Sequence, residues 1–170
     1  MEDRYLYKAK RIDNGKWVEG YYSFIDNVHY IYTGALCNGG LYVVAERFEI
    51  DPSTVCLYVE LTDMNIVNIW ENNIYQWVNN TYGTCTGIVR FGKYLQDGSG
   101  GEYSLIPCYG FYVEVIKYEP FPDSYLSVED YPGYLKAISV LELFNSEKNS
   151  AVEFIGNIFD NPELLEGGQI

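Results

Sequence analysis

The chain has 170 residues, enough for a single domain to bury a real core without disulfides or metals. Its composition is 48% hydrophobic and 17% aromatic, with 18 tyrosines, which excludes a disordered chain and favours strands, since aromatic and branched side chains fit a pleated, half-buried surface. Acidic residues outnumber basic ones by 24 to 11, for a net charge of −13, and Lys8-Ala9-Lys10-Arg11 is the only basic cluster. Direct nucleic-acid binding is therefore disfavoured, because neutralising phosphates takes an extended basic surface.

The start, Met1 to Tyr7, lacks the apolar run of a signal peptide, and no apolar stretch approaches the roughly 20 residues of a membrane helix. A cytoplasmic protein with no membrane partner is expected. Cys37, Cys56, Cys85 and Cys108 are far apart and form no CxxC, so a zinc ribbon is excluded and reduced, small apolar thiols are expected.

Two aromatic-rich runs, Trp17 to Ile25 and Val28 to Thr33, flank Asp26-Asn27, a pattern that predicts a tight hairpin. Cys37-Asn38-Gly39-Gly40 reads as a turn. "LYVVAERFEID" is the next strand, Pro52 breaks it, and "TVCLYVEL" follows. After a turn at Thr62 to Asn65 comes "VNIWENNIYQWVNN". Ile66, Ile69, Trp70, Ile74, Trp77 and Val78 fit a helical spacing, yet the asparagines disfavour a helix and two short strands around a Glu71-Asn72 turn fit as well.

"TCTGIVRFGKYL" reads as a strand and "QDGSGGEYS" as a polar loop. From Tyr109 the chain alternates, with Phe111, Val113 and Val115 on one side and Tyr112, Glu114 and Ile116 on the other. Residues 127–144 fit a helix, on the recurrence of Leu135, Ile138 and Leu141, nearly as well as a strand. In the tail a strand runs to Asn161, which caps a short helix with Pro162 in its first turn and Leu164 and Leu165 facing inward. No repeat or linker appears, so residues 1–170 read as one domain, mainly β, with one or two short helices.

Chemistry is harder to find. His29 is the lone histidine and sits in a strand pattern. No "GxSxG" elbow is present, "DGSGGE" lacks the lysine of a phosphate loop, and "DMNIVNIWE" lacks the ligands and glycine of a calcium loop. Acid pairs such as Glu49 with Asp51, or Glu129 with Asp130, are what any acidic protein offers. No catalytic, cofactor or metal residue is assigned, no cofactor is expected, and the chain reads as a non-enzyme. The tryptophans and tyrosines suit interfaces, being apolar with one polar end.

Three segments carry a family resemblance: "YKAKRIDNGKWVEGYY" from Tyr7, "EIDPSTVCLYVELTDMNIVNIWENNIYQ" from Glu49, and "IGNIFDNPELLE" from Ile155. On these the chain resembles the YopX-like proteins of bacteriophages and prophages. The resemblance implies a β-rich fold of mixed barrel and sandwich character, homo-oligomers, a bacterial host cytosol and no known enzymatic activity. It supplies no catalytic or ligand residues. Family members tend to read tyrosine-threonine-glycine-leucine where this chain has Tyr58-Val59-Glu60-Leu61, asparagine-glycine at Asn65-Ile66, and glutamate-glycine-aspartate-isoleucine at Glu71-Asn72-Asn73-Ile74. Ile66 would strain a positive-φ turn, whereas Asn72 can adopt one.

The resulting expectation is a phage-type accessory protein that binds or assembles. Two versions are counter-defence, by sequestering a host protein or a small signalling nucleotide, and acidic mimicry of DNA. Trp70 and Ile74 are assigned to the core. Trp17, Trp77, Asn72 and Asn73 form the candidate interaction surface, with Trp77 the residue facing a partner.

Overall fold

The computed structural model describes residues 5–34, 46–81, 83–97, 105–122, 136–145 and 149–166. The predicted turn at Cys37 to Gly40, the "DGSGGE" loop beyond Asp97, the Glu129-Asp130 pair and Leu135 lie outside these residues. The chain divides into two compact units, Met1–Trp70 and Glu71–Ile170. Each holds one antiparallel sheet, and neither sheet closes into a barrel. The β-rich expectation holds.

The first unit contains β1 (Leu6–Lys10), β2 (Trp17–Ile25), β3 (Val28–Thr33), β4 (Glu46–Glu49), β5 (Cys56–Thr62) and β6 (Asn68–Trp70), in the spatial order β4-β3-β2-β1-β5-β6. Asp26 and Asn27 both take positive φ, 52° and 64°, which matches the twist of β2 and β3 and sets the register Ile25 opposite Val28. That register decides which side chains share a face. Ala9, Ile31 and Ile50 are buried together, with Tyr7, Val18 and Val55 packed against them. Gly20 is required here, since a Cβ at this position would lie 2.1 Å from the Tyr32 carbonyl oxygen.

An isolated bridge between Arg11 and Ile50 brings the end of β1 back to the end of β4. There Asp51 caps the short 3-10 helix Pro52–Thr54 by accepting from the Ser53 amide at 2.9 Å. The Thr54 hydroxyl in turn accepts from the Lys10 amide at 2.8 Å.

The second unit contains β7 (Asn73–Asn79), β8 (Gly83–Asp97), β9 (Leu105–Pro120), β10 (Ala137–Ser139), helix α1 (Val140–Asn145) and β11 (Asn149–Asn157), with strand order β10-β9-β8-β7-β11. A 3-10 helix, Pro162–Leu165, follows. Of the two readings of "VNIWENNIYQWVNN", the strand one is correct. β6 and β7 flank Glu71-Asn72, and Trp70 and Ile74 are buried as expected. Register places Tyr75, Trp77, Cys85, Val89, Val113 and Ile138 on one face of the sheet, all buried. Phe144 of α1 meets the Tyr75 ring edge-on at 5.2 Å.

Two expectations need correction. The three-residue recurrence through Ile138 and Leu141 is not a helix face. Ile138 is a buried strand residue, the helix begins only at Val140, and Leu141 is exposed. In the tail, Leu165 is exposed and Leu164 only half-buried, because a 3-10 turn advances its side chains by a third of a turn each and cannot turn two neighbours inward.

Candidate functional site

Trp17 lies half-buried on β2, beneath two lysines of its own chain. The Lys8 and Lys10 ammonium groups stand 5.0 and 5.5 Å from its ring centre. Lys8 is also 5.2 Å from the Trp70 ring, and Trp70 meets Tyr58 at 5.3 Å. Lys8 therefore sits between two indoles and ties β1 to β2 and β6 by cation–π attraction.

Trp77 is fully buried within the second unit. The period-2 alternation of β7 turns it to the same side as Tyr75 and Asn79. Its ring edge comes within 3.0 Å of where a Cβ on Gly87 would stand, so the glycine makes room for the indole. Asn73 is buried too, at 2% exposure. Neither residue belongs to a surface.

Asn72 is half-buried, and it joins two of the family-like segments. Its φ is 67°, a left-handed value that asparagine tolerates. Its amide donates to the Val89 carbonyl at 2.8 Å, and its carbonyl accepts from the Ile158 amide at 3.2 Å. Its side-chain oxygen accepts from Arg90 at 2.9 Å, and Arg90 also pairs with Glu114 at 3.1 Å. Ile158 belongs to "IGNIFDNPELLE". There the Asn157 side-chain oxygen accepts from the amides of Phe159 and Asp160, at 2.9 and 3.0 Å, while its amide group donates to Asp160 at 2.7 Å. Gly156, at φ 154°, leaves room for the Asn161 side chain, which would lie 2.3 Å from an added Cβ. The asparagines thus work as turn-makers within the second unit.

Two other surfaces carry more functional content. The first is the outer half of the β8–β9 hairpin. β7 pairs with β8 only as far as Ile88, and β10 pairs with β9 only from Tyr112 to Glu114. Among the described residues, β8 and β9 beyond these points pair as strands only with each other, out to Asp97 opposite Leu105, while the Gln96 side-chain amide donates to Glu142 of α1 at 2.6 Å. Gly92 and Gly110 stand opposite each other at φ 150° and 154°. Tyr94 and Tyr112 flank that bare pair and stack at 4.8 Å, with ring planes 16° apart. Burial pushes both phenols above their ordinary pKa. On the opposite face, Phe91 contacts Tyr109 and Phe111, at 5.2 and 4.8 Å. Leu95 is 50% and Tyr109 69% exposed, and Phe91, Leu105 and Ile106 are exposed as well. From Phe91 to Gln96 and from Leu105 to Phe111, only Lys93 bears a charge.

The second surface is a groove of about 350 Å³ on the first unit, lined by Arg11, Ile12, Asp13, Arg47, Phe48 and Glu49. The Arg11 guanidinium lies 4.0 Å from the Phe48 ring centre and is held in a fork by Asp13. The turn carrying it is fixed by bonds from the Arg11 amide to the Lys16 carbonyl and from the Gly15 amide to the Arg11 carbonyl, both 2.9 Å. Arg47 stacks 4.5 Å from the Tyr30 ring centre. Its hydrogen bond to Tyr32, helped by the nearby phenols, raises its pKa further, so it stays a cation.

A family model described as YopX protein matches residues 6–166. The chain belongs to the YopX family. No curated protein and no solved structure matches it. Across this YopX chain the match runs through both units, and the family-like segments from Glu49 and Ile155 include the turns at Asp63, Asn72 and Asn157. No helix among the described residues is long and apolar enough to cross a membrane.

Sequence reading missed both surfaces in this YopX protein. The ribbon could have been suspected from the length of the strand patterns around "QDGSGGEYS", which outrun their neighbours. The groove joins residues about 35 apart in sequence through a bridge that no local pattern signals, in the sense that such register is set by tertiary pairing.

Proposed function

We propose that this YopX-family protein acts by binding rather than catalysis, and that it assembles with copies of itself through the outer β8–β9 ribbon. One observation carries the reading: one face of a two-stranded ribbon displays Phe91, Leu95, Leu105 and Tyr109 to solvent. A ribbon without neighbouring strands is marginal alone, and clustered apolar side chains of this kind mark an interface. Charge supports a second copy as the occupant. Two chains of net charge −13 repel over most of their surfaces, and the ribbon is nearly free of charge. The setting that goes with the family resemblance is the cytosol of a bacterial host, with the assembly acting there as a phage- or prophage-encoded accessory factor.

Light scattering coupled to size exclusion tests this. The wild-type chain is expected to elute as an oligomer, and the double variant Leu95→Glu, Tyr109→Glu as a monomer with unchanged far-ultraviolet circular dichroism. A monomeric wild type at tens of micromolar, in the order of ordinary interface affinities, overturns the proposal. So does an oligomer that the double variant leaves intact.

A further inference from the structure

A row of four rings crosses the outer end of the β2–β3 hairpin, apart from the ribbon and the groove. Register puts Phe24 opposite His29, Tyr22 opposite Ile31 and Tyr7 opposite Gly20, so the four side chains share one face of the sheet. Ring centres follow one another at 5.6 Å from Tyr7 to Tyr22, 5.9 Å from Tyr22 to His29 and 4.6 Å from His29 to Phe24. Successive planes are tilted between 36° and 46°. The Tyr22 hydroxyl and His29 Nδ1 share a hydrogen bond of 2.6 Å, which orients the imidazole within the row. The inner end of the row joins the core, where Tyr7 packs on Ala9, Ile31 and Ile50. The outer end is open: Phe24 is 55% exposed, and Tyr22 is exposed as well.

Other rings of the first unit carry the chain's own cations. Lys8 and Lys10 stand over Trp17, Lys8 over Trp70, Arg11 over Phe48 and Arg47 over Tyr30. Among the described residues no such cation covers Tyr22 or Phe24. The sequence around them cannot supply one locally, since Trp17 to Glu46 contains neither lysine nor arginine. From Gly20 to Gly34 the single formal charge is Asp26, at the hairpin tip two residues from Phe24. The net charge of −13 adds a long-range attraction for cations. Exposed rings beside a carboxylate suit a planar cation. A guanidinium stacks on the negative face of a ring and still directs its edge donors at a carboxylate, which the compact ammonium of lysine does less well. We propose that the Tyr22–His29–Phe24 row is a docking site for an arginine side chain of a basic partner protein. Phe24 is the stacking surface and Asp26 the counter-charge. The row is held by its own contacts before binding, so little side-chain freedom is lost on the protein's side. The site is independent of self-assembly through the ribbon.

The probes are N-acetyl-arginine amide, its neutral isostere N-acetyl-citrulline amide, and a peptide alternating arginine with glycine alongside its lysine counterpart. Each is titrated into the full-length chain at physiological ionic strength while amide and aromatic chemical shifts are followed. The arginine amide is expected to shift the signals of residues 22–29 saturably at millimolar concentration, and the citrulline amide to leave them in place. The arginine peptide is expected to bind more tightly than the lysine peptide. Phe24→Leu is expected to weaken arginine binding about two- to fivefold, the range of an exposed cation–ring contact. Asp26→Asn keeps a residue that tolerates positive φ and is expected to weaken binding as well. Unchanged shifts outside the hairpin show that each variant is folded. The ribbon variant Leu95→Glu, Tyr109→Glu is expected to bind as the wild type does, whatever its oligomeric state. The proposal is overturned if citrulline shifts the hairpin as arginine does, if the lysine peptide binds as tightly as the arginine peptide, or if Phe24→Leu leaves the affinity unchanged.

Discussion

Replacing Ile66 with glycine is expected to stabilise the protein. Ile66 sits at φ 63° in the turn between β5 and β6, a region that branched side chains avoid. The turn is held from one residue: the Asp63 carboxylate accepts from the amides of Asn65 and Val67, at 2.8 and 3.0 Å. Those bonds fix the backbone whichever side chain stands at position 66. The left-handed conformation costs a non-glycine residue roughly 1–2 kcal/mol, with a β-branched side chain near the top of that range. Glycine avoids this cost but loses about 0.5–1 kcal/mol more chain entropy on folding. Ile66 is 84% exposed, so little burial is forfeited. On the scale of about 1.5–3 kcal/mol for a fully buried isoleucine, the loss is roughly 0.3 kcal/mol. The expected net gain is about 0.5–1 kcal/mol.

Urea unfolding followed by tryptophan fluorescence measures this as a rise of roughly 0.3–0.5 M in the midpoint at unchanged slope, for a slope of about 2 kcal/mol/M. Ile66→Ala keeps a Cβ in the left-handed region and should recover less than glycine does. Asn72→Gly is the contrasting control. It occupies the same backbone region at φ 67° but loses the hydrogen bond from Arg90, and should destabilise. A glycine at 66 that lowers the midpoint, or a gain from Asn72→Gly as large as that from Ile66→Gly, refutes the strain argument.

Gly20→Ala drives a methyl group into the Tyr32 backbone and is expected to cost about 1–3 kcal/mol, read from the same urea transition. Asn157→Ala removes the acceptor of the Phe159 and Asp160 amides in a buried turn and should cost about 2 kcal/mol, with faster amide exchange confined to residues near the turn. The side-chain and backbone hydrogen bonds from Ser53 hold the Asp51 carboxyl below the ordinary aspartate pKa. A depressed carboxylate pKa contributes stability that is complete above the unfolded value, about 3.9, and is lost as pH falls through the folded one. A carboxyl titration by nuclear magnetic resonance should place the Asp51 midpoint below that of an ordinary aspartate, and Ser53→Ala should move it upward. An unmoved midpoint contradicts the assigned cause.

Most of the strands were legible because their signals are local. Asp26-Asn27 between two aromatic runs forces its own hairpin, and the alternation from Phe111 to Ile116 fixes its own faces. The short stretch around Glu71 was not legible, since a three-residue strand and a seven-residue strand are too brief for period 2 to outvote a chance helical spacing. Trp77 was misplaced for another reason. Its amphipathic chemistry suits an interface, but only the pairing of β7 with β8 determines that it stands over Gly87 in the core. The surfaces that carry functional proposals depend on register. In the ribbon it runs out, and in the hairpin it sets Phe24 beside His29.

The three family-like glycine positions sharpen this point. Glu60, Ile66 and Asn72 stand where the family resemblance implies glycine, and all three take φ between 63° and 67°. The chain therefore takes left-handed backbone at these positions without glycine. Two of the turns are held by a contact other than the residue's own preference. At position 66 it is the Asp63 carboxylate, and at 72 it is Arg90 together with the Val89 and Ile158 backbone. Backbone strain persists only where the surroundings over-determine it. At position 72 the asparagine side chain makes a structural contact that offsets the strain. At position 66 the side chain points into solvent beside exposed Met64 and Val67 and gains nothing visible within the chain. The strain there is consequently the one that glycine should relieve, which is why the urea midpoint of Ile66→Gly separates a turn held by Asp63 from one that depends on its own tip.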